Sequence, residues 1–107
     1  MTARTFGLTA AFSLFLAFKA SADCELPTVG AKPVIPNGSS ASPEAMYAAQ
    51  EQVADYVGLI ESYLECRANR LPTLIHDGYV RLAETAAAEY NTELGKFRSK
   101  ETELARN

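Results

Sequence analysis

Histidine occurs once and cysteine twice in these 107 residues. Those two shortages remove most of the catalytic chemistry a small protein could carry. An acyl-transfer triad needs a positioned base beside its nucleophile, and the lone His76 lies next to the turn expected between two helices. A histidine in such a place is more often a surface group than a base. Two cysteines without nearby histidines make no zinc site, and neither a Cys-x-x-Cys pair nor a Cys-x-x-Cys-His haem attachment occurs. A di-metal bundle needs Glu-x-x-His, but Thr73 stands three residues before His76 and offers no carboxylate. A glycine-rich phosphate loop is also missing. Glu61 and Glu65 are paired acids at helical spacing. They fall on a face expected to be solvated, with no concave scaffold to dry them. No catalytic, cofactor-binding or metal-binding residue is assigned, no cofactor is expected, and a non-enzymatic protein is the expectation.

Long apolar runs are scarce too. The longest, Phe6 to Phe18, is broken only by Thr9 and Ser13 and falls short of the ~20 residues that span a bilayer as a helix. Arg4 precedes it, and Ala20-Ser21-Ala22 supplies small residues where a signal peptidase reads. Residues 1–22 therefore read as a secretory signal peptide. A soluble chain beginning near Asp23 is expected, with no stable membrane insertion after cleavage. A lipid-modified Cys24 would need a small residue directly before it, and Asp23 stands there. Beyond residue 22 the chain holds eight bases against thirteen acids. An acidic surface gives no long-range attraction to nucleic acid or anionic lipid. A remainder of this size is one small domain, the kind that often needs a disulfide, a metal or a partner chain.

Cys24 and Cys66 both lie in the exported part, where disulfides persist. One intramolecular pairing exists, and it is the expected one; intermolecular bonds and free thiols are the alternatives. Residues 23–42 hold Pro27, Pro33, Pro36, Gly30 and Gly38. The prolines forbid a helix and favour an extended arm. Asn37-Gly38-Ser39 marks a turn; it also matches the glycosylation sequon, which has meaning only in a eukaryotic source.

Residues 43–107 read as a helical hairpin. Ser42 can cap the first helix, Pro43 suits its first position, and Glu44 sits in the positive first turn. Met46, Ala49, Val53, Val57, Ile60 and Leu64 recur at steps of three and four, flanked by Tyr56 and Tyr63. The helix is predicted to reach about Ala68. Pro72 then disfavours helical geometry at Leu71. A second helix is predicted from about Thr73 to about Ala105, with a stripe of Ile75, Tyr79, Leu82, Ala86, Tyr90, Leu94, Phe97 and Leu104. Gly78 costs about 1 kcal/mol inside a helix, so a kink there, or a later start after an Asp77 cap, stays open. No strand-like alternation occurs, and the fold class is all-α.

An extended arm of this length reaches up to about 60 Å. The first helix up to Cys66 spans only about 33 Å, so the arm can run back and pin its start to the helix's far end. The first helix's stripe is wider than a two-helix seam requires. Two hairpins packed as a four-helix bundle would bury both flanks, giving a homodimer; the alternative is a monomer whose arm covers the spare surface. Tyr56 with Tyr63, and Tyr79 with Tyr90, return to nearly the same helical face. Core packing is one reading of them and a face for a partner protein is the other. Between Glu44 and Glu65 there are five acids and no base, while Lys96, Arg98, Lys100 and Arg106 crowd the end of the second helix. An antiparallel hairpin is expected to bring these opposite charges together.

The signal, the early Cys24, Pro33-Val34-Ile35-Pro36-Asn37-Gly38, Ser42-Pro43-Glu44, and Tyr63 followed by Cys66 together resemble small, uncharacterised exported helical proteins of Gram-negative bacteria. The resemblance implies the periplasm and supplies no activity. The expected role is contact with a second copy or with an envelope protein. The alternative is a small-ligand or hydrophobic-cargo site between helices, lined by the tyrosines and Met46.

Overall fold

The computed structural model describes residues 24, 26–27, 32–68 and 70–107. Residues 1–22, expected to be a signal peptide, lie outside them. Among the described residues the protein is all-helical, with no strand: α1 runs Pro43–Arg67 and α2 runs Thr73–Arg106.

The boundaries follow local chemistry. Ser42 is extended and its hydroxyl accepts from the Ala45 amide at 3.1 Å, with Pro43 entering the first turn behind it. That satisfies one of the helix's orphan donors. At the far end the Ala68 amide donates to the Glu65 carbonyl at 3.2 Å, and the Arg70 guanidinium donates to the Cys66 carbonyl at 2.7 Å. A cation on the last carbonyls also suits the helix dipole. Pro72 opens α2, its carbonyl accepting from both Ile75 and His76 at 3.0 Å. Gly78 therefore sits inside the helix, and the later start after Asp77 does not occur.

The seam differs in detail from the expected stripe. On α1 the buried residues are Met46, Ala49, Val53, Tyr56, Ile60 and Tyr63. Tyr56 and Tyr63 take the centre, while Val57 and Leu64 are only half-buried. At about 100° per residue, both members of each pair border the line through Ile60, so either could have led. Ile60 (1% exposed) and Ala86 (0%) pack with Tyr56, and Leu64, Tyr79, Leu82 and Ala83 close around them. The Tyr63 and Tyr79 rings lie 5.0 Å apart and tilted by 60°, a favourable aromatic geometry. Ile75 and Leu104 are exposed and leave the expected stripe. Ile75 stands at the inter-helix turn. Leu104 lies past the start of α1, because Lys100 already reaches the Ala41 carbonyl, ahead of Pro43.

The arm is the third element. Cys24 and Cys66 form the disulfide, their Cα atoms 5.8 Å apart. Pro27 and Pro33 are buried, Val34 points outward and Ile35 is half-buried. Lys32 meets Glu89, Gly38 meets Glu93, and Ala41 meets Lys100. The arm thus runs parallel to α2 and antiparallel to α1. Asn37-Gly38-Ser39 forms the expected turn: the Asn37 side-chain oxygen accepts from Ser39 at 2.9 Å, and its carbonyl accepts from Ser40 and Ala41.

Candidate functional site

One carboxylate of α2 holds the arm's turn by a hydrogen bond to its backbone. Glu93 Oε2 accepts from the Gly38 amide at 2.7 Å, and Oε1 accepts from Lys96 Nζ at 2.8 Å. The Lys96 hydrogen bond, then the Gly38 amide, hold the Glu93 carboxyl below the ordinary glutamate value, with partial desolvation working against them. Gly38 is required by space. A Cβ there would run into the Glu93 carbonyl and stand 3.0 Å from the Phe97 amide nitrogen. No side chain can enter without lifting the turn off the helix. The turn is legible in the sequence and its partner is not: 55 residues separate them, and Glu93 reads as one polar residue among several.

The expected charge pairing between helices is not formed. Among the described residues no ion pair joins α1 to α2. Lys96 turns to Glu93 on its own helix, Lys100 donates to the Ala41 carbonyl at 3.3 Å, and the cross-element pair is Lys32–Glu89 at 2.9 Å. With both partners about half exposed, that pair is worth at most about 1 kcal/mol.

Of the four tyrosines offered as an interaction face, Tyr56 and Tyr63 are buried inside the hairpin, and Tyr79 and Tyr90 are half-buried. Tyr63 and Tyr79 meet, and the Arg67 guanidinium lies over the Tyr63 ring at 5.9 Å. The first two rings are thus largely enclosed by the hairpin. Met46 is buried as well.

His76 is half exposed, and its Nδ1 lies 3.4 Å from the neighbouring Asp77 carboxylate. Glu61 and Glu65 are exposed. Among the described residues no group of three or more histidine, cysteine, aspartate or glutamate side chains could hold a metal ion. No described helix is long and apolar enough to cross a membrane. The disulfide is compatible with an oxidising compartment.

Among the shallow grooves that the described residues form, two border the apolar side chains of the hairpin. One lies between arm and α1, lined by Pro27, Pro33, Val34, Tyr56 and Leu59. The other, at the inter-helix turn, is lined by Leu64, Arg67, Leu71, Thr73 and His76. Compared with protein-family models, curated proteins and solved structures, the chain matches none.

A larger feature emerges from the two helix surfaces together. On α1, Val57 and Leu64 lie seven residues apart and half-buried; on α2, Val80, Ala87 and Leu94 do the same. Seven residues is nearly two turns, so each set forms a line along its helix. These lines border the side of the hairpin away from the arm.

Proposed function

We propose that this is a non-enzymatic exported protein of the periplasm or the secreted space that acts through protein contact, with a second copy or an envelope protein. The observation that carries this reading is the apolar flank away from the arm. Val57, Leu64, Val80, Ala87 and Leu94 are half-buried there, and the described arm residues lie on the other side. Half-buried aliphatic lines on both helices gain about 25 cal/mol per Å² when a partner completes their burial. The export part rests on the signal-like residues 1–22 and on a disulfide that suits an oxidising compartment. The non-enzymatic part rests on a single half-exposed histidine and on two cysteines engaged with each other.

The test is a photo-crosslinking amino acid at Leu94, with the protein expressed in an exporting Gram-negative host. Protein adducts recovered from the periplasmic fraction are expected. Periplasmic protein without any protein adduct contradicts the contact reading, and retention in the cytoplasm contradicts the export reading.

The arm–α1 groove favours a second reading, a binder of small apolar ligands. Native mass spectrometry of unheated protein separates the two: a co-purifying small molecule supports the second reading, and bare protein opposes it.

A further inference from the structure

We propose that Asn37 is a latent deamidation site, kept closed by the docking of Gly38 on Glu93 and opened when the turn leaves α2, independently of any partner.

Asn37-Gly38 is the one place in the sequence where glycine follows asparagine; arginine follows Asn69 and threonine follows Asn91. The reaction is a ring closure within the chain. The Gly38 amide nitrogen gives its proton to solvent and attacks the side-chain carbonyl carbon of Asn37. A new carbon–nitrogen bond forms, the carbon–nitrogen bond of the carboxamide breaks, and ammonia leaves. Water then opens the cyclic imide at either carbonyl. One opening gives aspartate. The other gives isoaspartate, with the chain running through the former side chain. The sum is asparagine plus water going to a carboxylate plus ammonia. The residue after the asparagine sets the access, because its side chain crowds the attacking nitrogen and glycine carries none. A β-branched residue such as Thr92 is stiff and bulky at that point.

The docked turn opposes this step at both reacting groups. Gly38 is buried and its N–H donates to Glu93 Oε2 at 2.7 Å. The nitrogen must lose that proton to attack. A carboxylate at hydrogen-bond distance stabilises the N–H and repels the anion that its loss would leave. Glu93 is also a poor base for the proton, since its carboxyl is held below the ordinary glutamate value. The Asn37 side-chain oxygen is fixed by the Ser39 amide at 2.9 Å, and the Asn37 carbonyl by the Ser40 and Ala41 amides at 3.1 and 2.9 Å. Ring closure must bring the side-chain carbon from contact distance to bonding distance of the nitrogen, so these groups have to move. Room for that movement is missing at Gly38, where even a Cβ would run into the Glu93 carbonyl and stand 3.0 Å from the Phe97 nitrogen. Asn37 itself is exposed, so water reaches it and the nucleophile is what the fold withholds.

The change runs one way. Isoaspartate adds a carbon to the main chain between residue 37 and Gly38. It also turns the carbonyl that holds Ser40 and Ala41 into a free carboxylate. The turn then no longer presents the Gly38 amide to Glu93, and a new negative charge stands near that glutamate. The arm keeps its disulfide at Cys66 and loses its fastening on α2.

The test is peptide mass spectrometry of the purified, oxidised protein stored at neutral pH, reading carboxylate in place of amide at residue 37. The reference is the same chain unfolded in guanidinium chloride. The native protein is expected to convert at least about tenfold more slowly than the unfolded chain, as for a site reached only by local opening. Glu93→Ala with native helix content is expected to lose most of that protection. Should Glu93→Ala lose its helix content, Glu93→Gln carries the test, since it keeps an oxygen for the Gly38 amide and removes the charge; it is expected to convert faster than the native protein. Native conversion at the unfolded rate overturns the proposal, as does a folded Glu93 variant that converts at the native rate. An unfolded chain that forms no carboxylate at residue 37 overturns the site itself.

Discussion

The Gly38 amide donates to the Glu93 carboxylate over 2.7 Å, and this bond closes the turn of the arm onto the backbone of α2. The contact joins two kinds of necessity. The amide needs an acceptor once the turn is buried, and the helix backbone is so near that only glycine fits.

Gly38→Ala is expected to destabilise the protein by about 1–3 kcal/mol, the usual range for forcing a methyl into a filled site. Gly78→Ala is expected to do the opposite. A Cβ at Gly78 meets nothing within 4 Å, and alanine gains up to about 1 kcal/mol over glycine inside a helix. Thermal melts of the two variants check both signs. A stable Gly38→Ala would mean that the turn stands off the helix.

Cys66→Ser is expected to lower the melting temperature sharply while circular dichroism stays near native. The bond spans a sequence separation of 42, and closing a loop of that size is worth roughly 4 kcal/mol in the chain-entropy model. Helix content survives because the α1–α2 seam is made by Tyr56, Ile60, Tyr63 and Ala86, away from the sulfur atoms. An unchanged melting temperature contradicts a structural bond.

Acid should loosen the arm through Glu93. Its carboxyl is held below the ordinary glutamate value by Lys96 and by the Gly38 amide. A group with a lowered folded-state pKa contributes stability above its unfolded value, about 4.3, and loses it as pH falls through the folded value. Glu93→Gln removes that contribution. Melting temperatures of native and Glu93→Gln protein should therefore differ most near neutral pH and draw together as pH falls below the ordinary glutamate value, about 4.3. A constant gap across that range contradicts the assignment.

Ile60→Ala is expected to cost about 2–5 kcal/mol, the range for truncating a buried aliphatic side chain, because Ile60 is 1% exposed at the centre of the seam. Denaturant unfolding measures it. A cost under about 1 kcal/mol, typical of surface positions, would place Ile60 outside the core.

Much of this architecture is legible in the residues because local chemistry decides it. Ser42-Pro43 starts α1, Pro72 opens α2, and two cysteines admit one intramolecular bond. The seam is less legible. Val57 and Tyr56, like Leu64 and Tyr63, border the same line, and only the packed partner tells them apart. Ile75 and Leu104 keep the helical period but have no opposing turn of α1 to bury them. The arm's docking was hidden for another reason. Apolar periodicity finds apolar surfaces, whereas the arm is fastened by a lysine, a glycine amide and two glutamates. The wide stripe that suggested a dimer also changes meaning, since Tyr56 and Tyr63 are inside the hairpin and the half-buried residues lie on the other flank.

The central claim is that the arm is a docked third element, fastened at Cys66 and again at Glu93. Amide hydrogen exchange at Gly38, in the oxidised protein at neutral pH, tests it most directly. The account predicts exchange at least about tenfold slower than in an unstructured chain, as for a buried, bonded amide, and a loss of that protection in Glu93→Ala. Exchange at the unstructured rate in the native protein would contradict it.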